Sequence, residues 1–538
     1  MTVARETAPS VERSAAALFG AAMAERYHED KARAASLLEQ AHAAAVREGE
    51  IEMAVMAAAG LMINRSGAGE YAAARGWEQR GLRLLADRGD CLARGYLALG
   101  FAGCDIHDPR ELLERADIAY RLAKQFGDRQ LELRALAERG LALVCQGNVD
   151  DGFALLDEVM VGVVAGDFAD AGMRGLAICS VLSACERTGD TGRAEYWLSV
   201  VESGPKLHEI GITTTHCQVV HGVVDALCGR WADAETHLQQ AMTAPLTAAY
   251  HHTNSTAKLA ELKIQQGKYD EADKLLRGLE GRVEAAPAAA HLAMARGDHA
   301  RAAALLRSVV RNLGTDCMRQ APAFALLVEA QLRCGDVEAA RRSAHRLLAL
   351  HEGCSSNEIR ALGHLTSARL SLHENDSESA IDELETALTL LIHLDRPLLT
   401  AQIRLELGRA LVQCGDAAGA RVEVEAAIAV FERLGIVPDV AAARSLIEGI
   451  DATNGHAPAP SHASVRHPLG AQEQLTPRER EIAQLVGEGL TNREIAKRLF
   501  LSVRTAETHV DRALGKLGFH TRSQLAAWVA RQQQPAGA

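Results

Sequence analysis

Apolar residues recur at helical spacing along most of the chain, and a regular turn signal interrupts them. Between residues 147 and 420 a glycine, or once an asparagine, is followed five positions later by a glycine or an alanine, and these turns come at intervals of 30 to 42 residues. A glycine in the left-handed conformation ends a helix, and a small residue early in the next helix lets the two helices pack closely. The pattern predicts helical hairpins with turns at Gly147 and Gly152, Gly189 and Ala194, Gly229 and Ala234, Gly267 and Ala272, Gly297 and Ala302, Gly335 and Ala340, Asn375 and Ala380, and Gly415 and Ala420.

The N-terminal part of the chain continues this helical pattern less regularly. Gly67 and Ala72 repeat the turn signal. Only 4% of the residues are aromatic, alanine is abundant, and strand signals are nearly absent. The predicted fold class is therefore all-α, with early helices at 11–27, 30–48, 50–64, 70–88, 90–103 and 109–126.

The composition changes after residue 450, where DATNGHAPAPSHASVRHPLG is rich in Ala, Pro, Ser and His. Such a segment buries too little apolar surface to fold, which predicts a flexible linker. The sequence thus divides into a repeat array at 1–450, a linker at 451–470 and a C-terminal domain at 471–536.

Capping signals define four short helices in the C-terminal domain. Thr476 and Thr491 each begin a capping box, Ser502 can cap the next helix, and Thr521 begins a third box. The predicted helices are 477–488, 492–499, 503–517 and 522–532. Residues 490–509 have the length and layout of a helix-turn-helix motif.

The third of these helices has two different faces. Its apolar face is expected to pack inward, against Ile482, Leu485, Ile495, Ala496 and Leu499 of the first two helices. The opposite face is polar and suits insertion into a DNA major groove. The inward set is Val503, Ala506, Val510, Ala513, Leu514 and Leu517, and the outward set is Arg504, Thr508, Asp511, Arg512 and Gly515.

The C-terminal domain resembles the LuxR-type four-helix DNA-binding domain, through the blocks LTPREREI, GLTNREIAKRLFLS, RTAETHV and KLG. The hairpins resemble tetratricopeptide repeats, and the last of them is similar to those that precede the DNA-binding domain in MalT-like regulators. The resemblance implies three groups of site residues. The phosphate-contacting group is Lys497, Arg504, Thr505, Arg512 and Lys516, the base-facing group is Glu507, Thr508 and Asp511, and the dimer contact is Leu525, Trp528 and Val529.

Charge is distributed unevenly between the two parts of the chain. The net charge is −12, yet residues 476–538 contain 10 Lys and Arg against 6 Asp and Glu. A basic end on an acidic body is typical of a DNA-binding domain joined to a module that does not bind nucleic acid.

Other chemistry is not indicated by the sequence. No phosphate-binding G-x-x-x-x-G-K-[ST] motif occurs, no catalytic grouping emerges, and no run of apolar residues is long enough to span a membrane. The eleven cysteines never form C-x-x-C and are expected to be reduced thiols, many of them buried. His216, Cys217 and His221, and the pair His251 and His252, are interpreted as ordinary residues of the repeats, so no enzyme activity, metal or cofactor is predicted.

Two functional classes remain open from the sequence. The first is a cytoplasmic, nucleoid-associated transcriptional regulator that binds promoter DNA as a homodimer and whose array receives a protein or small-molecule effector. RNA polymerase is a further candidate partner. The second is an interaction scaffold with an accessory DNA-binding domain.

Overall fold

The computed structural model describes residues 14–25, 31–101, 108–203, 211–244, 249–279, 281–392, 394, 396–455, 475, 477–487, 490–499, 509–510, 512–514, 516–517 and 522–533. Every regular element among these residues is an α-helix, which confirms the all-α prediction. None of the described helices is both long enough and apolar enough to cross a bilayer.

In the described part of the chain, twenty-three helices precede the C-terminal domain. They are α1 (Ala15–Glu25), α2 (Lys31–Glu48), α3 (Ile51–Gly67), α4 (Tyr71–Leu84), α5 (Leu92–Ala98), α6 (Pro109–Phe126), α7 (Arg129–Cys145), α8 (Val149–Ala165), α9 (Ala171–Thr188), α10 (Thr191–Ser203), α11 (Gly211–Leu227), α12 (Trp231–Thr243), α13 (Ala249–Gln265), α14 (Tyr269–Leu276), α15 (Ala286–Ala295), α16 (His299–Asn312), α17 (Cys317–Arg333), α18 (Val337–Glu352), α19 (Asn357–His373), α20 (Ser377–Leu391), α21 (Pro397–Gln413), α22 (Ala417–Leu434) and α23 (Val437–Gly455).

The hairpin turns lie at the predicted positions. The seven glycines predicted between residues 147 and 415, together with Asn375, have positive φ, from 58° at Gly189 to 96° at Gly147. Asn375, with φ 64°, is the only non-glycine residue with positive φ in the described part of the chain. The left-handed conformation ends the first helix of each hairpin. In some hairpins an aspartate, such as Asp298 or Asp416, then caps the second helix by accepting a backbone N–H.

The small residue five positions later is buried in every hairpin. The alanines there are at most 1% exposed. At Gly152, an added Cβ would lie 2.6 Å from Val144 Cγ2 and 2.7 Å from the carbonyl oxygen of Gly140. The two helices therefore approach as closely as the absence of a side chain permits.

One predicted turn is wrong by two residues. Gly67 is the last residue of α3, and Gly69 has the positive φ of 79° instead. Ala74, five residues after Gly69, is fully buried, so the spacing rule holds from the correct glycine. The sequence GAG offers two glycines, and the packing of Ala74 decides between them.

The described contacts divide the chain into two compact units, of which the first contains Met1–Leu370 and Thr389–Pro397. Within this unit, hairpins about five intervals apart meet. Asp108 Oδ1 accepts a hydrogen bond from Thr315 Oγ1 at 2.8 Å, and the carbonyl of Gly147 accepts one from Ser355 Oγ at 3.0 Å. Both pairs are separated by 207 or 208 residues. The helices of this unit therefore coil upon themselves.

The second unit contains Ser371–Leu388 and Leu398–Ala538. It includes the last hairpins and the C-terminal domain, whose labelled helices are α24 (Pro477–Gly487), α25 (Asn492–Arg498) and α26 (Arg522–Gln533). Helix α23 continues to Gly455, so the predicted linker at 451–470 begins within a helix; its residues 456–470 lie outside the described part of the chain.

Candidate nucleic-acid interface

The C-terminal domain has a small apolar core of its own. Ile482 and Ile495 are fully buried, and Leu485 and Ala496 are nearly so, as predicted. Leu499 packs against this cluster while remaining partly exposed. The buried residues of this core all lie within residues 475–529, so the domain has an apolar cluster distinct from those of the repeats.

The second helix of the domain begins at a complete capping box. Thr491 Oγ1 accepts the backbone N–H of Glu494 at 3.2 Å, and Glu494 Oε2 accepts the backbone N–H of Thr491 at 2.8 Å. These reciprocal bonds satisfy two otherwise unpaired backbone donors. The box confirms the predicted start of α25. The boxes predicted at Thr476 and Thr521 begin at residues outside the described part of the chain.

The third helix, called here the recognition helix, is described at residues 509–510, 512–514 and 516–517. Val510 and Ala513 are buried in the domain core, and Leu514 and Leu517 pack against it. This is the predicted inward face. Arg512, on the other side, is exposed as expected.

Most residues predicted to contact DNA lie outside the described part of the chain. They are Arg504, Thr505, Glu507, Thr508 and Asp511. The backbone of Lys497 lies on α25, but its side chain is not among those described. Their roles therefore stay predictions. Arg512 and Lys516 are the two members of the predicted set whose side chains the structure places.

Lys516 forms an ion pair inside the domain. Its Nζ lies 2.6 Å from Oε2 of Glu479, whose side chain is only 4% exposed. A buried carboxylate needs such a partner, because transfer of an unpaired charge from water is strongly unfavourable. Lys516 is itself 38% exposed, so its ammonium group lies at the surface while it neutralises Glu479.

The fourth helix, α26, is attached to the start of α25 through Arg522. Its Nη1 donates to Oδ1 of Asn492 at 2.6 Å, and its Nη2 donates to the carbonyl of Leu490. Burial lowers the pKa of Arg522, and the negative charges of Glu385 and Glu494 oppose that shift. The guanidinium group thus holds together the turn before the second helix and the start of the fourth.

The predicted dimer residues have unequal surroundings. Leu525 is fully buried and Val529 is 4% exposed, both in the core of their own domain. An added Cβ at Gly487 would lie 2.5 Å from Val529 Cγ1, which shows how closely α24 and α26 pack. Trp528 is partly buried against the same core and is the member of the three with surface left for a partner. Dimerisation through this helix stays a prediction.

The sequence alone does not predict the structural roles of Arg522 and Glu479. Its local pattern indicates only a capping box for Glu479, at the position three residues after Thr476, and no role for Arg522, because a local pattern does not show which distant group a side chain meets. Helix α26 also packs against α22 of the last hairpin, within the second unit. Glu385 on α20 lies close enough to Arg522 for the guanidinium charge to lower its pKa, although burial and Asp382 raise that pKa overall.

Comparison with known proteins agrees with this geometry. Residues 473–529 match the bacterial regulatory proteins of the luxR family (GerE). A protein of Mycobacterium tuberculosis named as an HTH-type transcriptional regulator, Rv0890c, is 46% identical over 70 residues, which are 13% of this chain and 8% of that protein. The DNA-binding transcriptional activator DevR/DosR of the same species is 38% identical over 103 residues. These residues are 19% of this chain and 46% of the length of DevR/DosR.

The repeat array is similar in fold to a solved structure. A chain of the crystal structure of the APC/C hetero-tetramer Cut9–Hcn1 aligns with it. The alignment covers 81% of this chain and 84% of that chain, with a TM-score of 0.50 and 13% sequence identity. At that identity the likeness concerns the fold, a tetratricopeptide-like helical solenoid. The chain therefore carries a luxR-family helix-turn-helix domain at residues 473–529, behind a tetratricopeptide-like array of helical hairpins.

Proposed function

We propose that the protein is a sequence-specific, DNA-binding transcriptional regulator, acting at the nucleoid in the cytoplasm. The observation that carries the proposal is a luxR-family domain with its own core, its capping box and an exposed arginine on the recognition helix. A helix-turn-helix domain inserts its recognition helix into the major groove and usually binds two half-sites as a dimer. Promoter DNA and a second copy of the chain are the partners that follow, with RNA polymerase as a further one.

The roles of individual residues in DNA binding follow the family resemblance. Phosphate contacts from Lys497, Arg504, Thr505, Arg512 and Lys516 would position the domain on the duplex. Contacts from Glu507, Thr508 and Asp511 to base edges would give sequence preference, with the two acids suited to cytosine amino groups. Lys516 reaches a phosphate only by sharing or leaving Glu479, so its contribution depends on that ion pair.

We further propose that the array controls the domain by covering α26. Helix α26 packs against α22, and Arg522 lies in the field of Glu385 on α20. A fourth helix held in this way is less available to a second copy of the domain. An effector that binds the array and prefers the released form would shift the population toward DNA-binding dimers.

The test compares three proteins on one selected DNA site: the full chain, its Glu385→Lys variant, and a fragment of residues 471–538. The fragment is expected to bind more tightly than the full chain, and Glu385→Lys to move the full chain toward the fragment's affinity. Glu378→Lys is the matched control, since it makes the same charge change at an exposed position of the same helix. Equal affinity and equal salt dependence for fragment and full chain would rule out control by the array while leaving DNA binding intact.

A scaffold function is the alternative, with the array as the active part and the DNA-binding domain accessory. The length of the array favours it, because stacked hairpins form extended surfaces suited to protein partners. Selection from a random DNA pool separates the two functions. Enrichment of a defined motif by the full chain or by residues 471–538 supports the regulator, whereas enrichment of no motif by either supports the scaffold.

A further inference from the structure

The first unit contains a buried cluster of one thiol and two imidazoles that the proposed DNA-binding function does not use. Cys179 on α9, His216 on α11 and His251 on α13 bring their sulfur and nitrogen atoms within 4.8 Å of one another. The three side chains are 6%, 0% and 2% exposed. The rings of His216 and His251 have their centroids 4.5 Å apart and are inclined by 34°.

His216 is the residue that points most clearly to a ligand. Both of its ring nitrogens are buried, and neither has a hydrogen-bond partner among the residues that the structure describes. An imidazole buried without partners loses the hydrogen bonds that water would supply, which is unfavourable unless something else satisfies the nitrogens. Burial, assisted by the positive charge of Arg187, lowers the pKa of His216 to about 3, so the ring is neutral at physiological pH. Neutral imidazole is the form that binds metals.

The charges around the cluster are already compensated. Arg187, whose field reaches His216, pairs with the buried Asp316 at 3.8 Å. Arg134, whose field reaches Cys179, forms an ion pair with Glu138 on the same helix. No Asp or Glu belongs to the three-residue group found among the described residues. The donors are therefore sulfur and nitrogen without oxygen.

We propose that Cys179, His216 and His251 form a binding site for a soft d10 metal cation, either Cu(I) or Zn(II). Thiolate and imidazole ligands favour these ions, whereas Mg²⁺, Ca²⁺ and Mn²⁺ prefer oxygen. On binding, the Cys179 thiol releases its proton to solvent and its sulfur bonds the metal, and each imidazole donates one lone pair. A monovalent ion gives a neutral three-coordinate complex, while a divalent ion retains one positive charge and accepts a fourth ligand.

The distances suit this chemistry after a small movement. Metal–nitrogen and metal–sulfur bonds of about 2.0–2.3 Å require donor atoms roughly 3.3–3.8 Å apart. The donor atoms of the cluster lie within 4.8 Å of one another. Side-chain rotations that move these atoms by about an ångström would bring them to metal-binding distances. Since each ligand comes from a different hairpin, a bound metal would tie α9, α11 and α13 together and stabilise that part of the first unit.

The experiment uses the full chain, purified with a reductant, stripped with a chelator and titrated with Cu(I) or Zn(II) against a competing chromophoric chelator. Protein from cells grown with each metal is assayed in parallel for bound metal, because a buried site can also load during folding. We expect one ion per chain and a higher melting temperature with metal bound. The metal retained by protein purified from cells identifies the ion, because raw affinity does not set metal selectivity in cells. Co(II) loading should produce thiolate-to-cobalt charge-transfer absorption.

Matched variants decide whether this cluster is the site. Cys179→Ala and His216→Gln are each expected to weaken binding by at least about a hundredfold and to abolish the rise in melting temperature. Cys185→Ala, a buried thiol on the same helix, and His252→Gln, an exposed neighbour of His251, should bind as the wild type does. Circular dichroism checks that each variant is folded, and Cys179→Ser replaces Cys179→Ala if the latter is not. Absence of metal from the wild type under both loading conditions, or wild-type affinity in folded Cys179 and His216 variants, would overturn the proposal.

Discussion

The Nζ atom of Lys516 on the recognition helix lies 2.6 Å from Oε2 of Glu479, a buried carboxylate on the first helix of the same domain. The family resemblance implies that Lys516 contacts the DNA backbone, whereas in the structure its ammonium group pairs with a buried carboxylate of its own domain. These two demands compete for one ammonium group. If Lys516 contacts a phosphate as the resemblance implies, its ion pair with Glu479 reduces how strongly this end of the recognition helix attracts DNA.

Glu479→Gln is predicted to strengthen DNA binding by the full chain several-fold. Without the carboxylate, Lys516 is released to a phosphate, and the slope of log affinity against log salt concentration should steepen by about 1. Glu481→Gln removes the same charge from an exposed position of α24 and serves as the control. Salt-dependent binding isotherms measure both variants. An unchanged slope for Glu479→Gln would show that Lys516 contacts no phosphate.

Arg504→Ala is predicted to weaken binding to all DNA sequences and to reduce the salt slope by about 1, because a phosphate contact carries no sequence information. Thr508→Ala should instead change the preferred base at one position of the site, at a cost of about 1–3 kcal/mol for the preferred sequence. Binding to a selected site and to scrambled DNA distinguishes the two effects. If both variants lost the same affinity on both DNAs, these assignments would be incorrect.

Gly152→Ala is predicted to destabilise the array by about 1–3 kcal/mol, since its new methyl group would meet Val144 and a backbone carbonyl at contact distances that cannot relax cheaply. Gly76→Ala is the matched control. It lies within helix α4 with open space around the position, so the higher helix propensity of alanine should stabilise the protein by up to about 1 kcal/mol. Chemical denaturation of both variants tests the sign, which should be opposite.

His42 is predicted to make the N-terminal hairpins sensitive to acid. Its Nδ1 donates to the carbonyl of Ala54 at 2.8 Å, and its ring lies edge-on to Trp77. Burial lowers the pKa of His42 below its ordinary value of 6.5, so the folded chain keeps the ring neutral at a pH where the unfolded chain protonates it. The contribution of His42 to the free energy of unfolding is therefore fully present above pH 6.5, and it is lost as the pH is lowered toward the folded-state pKa.

His42→Gln removes this titrating group, so its melting temperature should fall less between pH 7 and pH 5 than that of the wild type. The absolute stability of the variant is expected to be lower at pH 7 because of altered packing, which is why the pH dependence is the informative quantity. Exposed His252→Gln should keep the wild-type dependence. Parallel curves for wild type and His42→Gln would contradict the prediction.

Features that depend on neighbouring residues are predictable from the sequence, whereas features that depend on contacts between distant residues are not. Asn375 was predicted to end a helix like the glycines around it, and its φ of 64° confirms this, because a left-handed turn depends on a few adjacent residues. The turn predicted at Gly67 is wrong by two residues. Gly69 has the left-handed conformation instead, and Ala74, five residues after it, is fully buried. The histidines were interpreted as ordinary repeat residues, and only the structure brings His216 beside His251 and Cys179.

The sequence by itself determined that the chain is helical, where most of its hairpin turns lie and which small residues let paired helices touch, and its C-terminal blocks resemble the luxR-family helix-turn-helix domain. The helices, turns and close contacts depend on dihedral preferences, caps and apolar periodicity within a few turns of chain, whereas the family follows from the resemblance of the C-terminal sequence blocks. Only the tertiary structure decided that Thr315 meets Asp108, that Arg522 meets Asn492, and that three ligand-type side chains from three hairpins share one buried position. Those contacts arise from small rotations accumulated from helix to helix, and no local stretch of sequence specifies their sum.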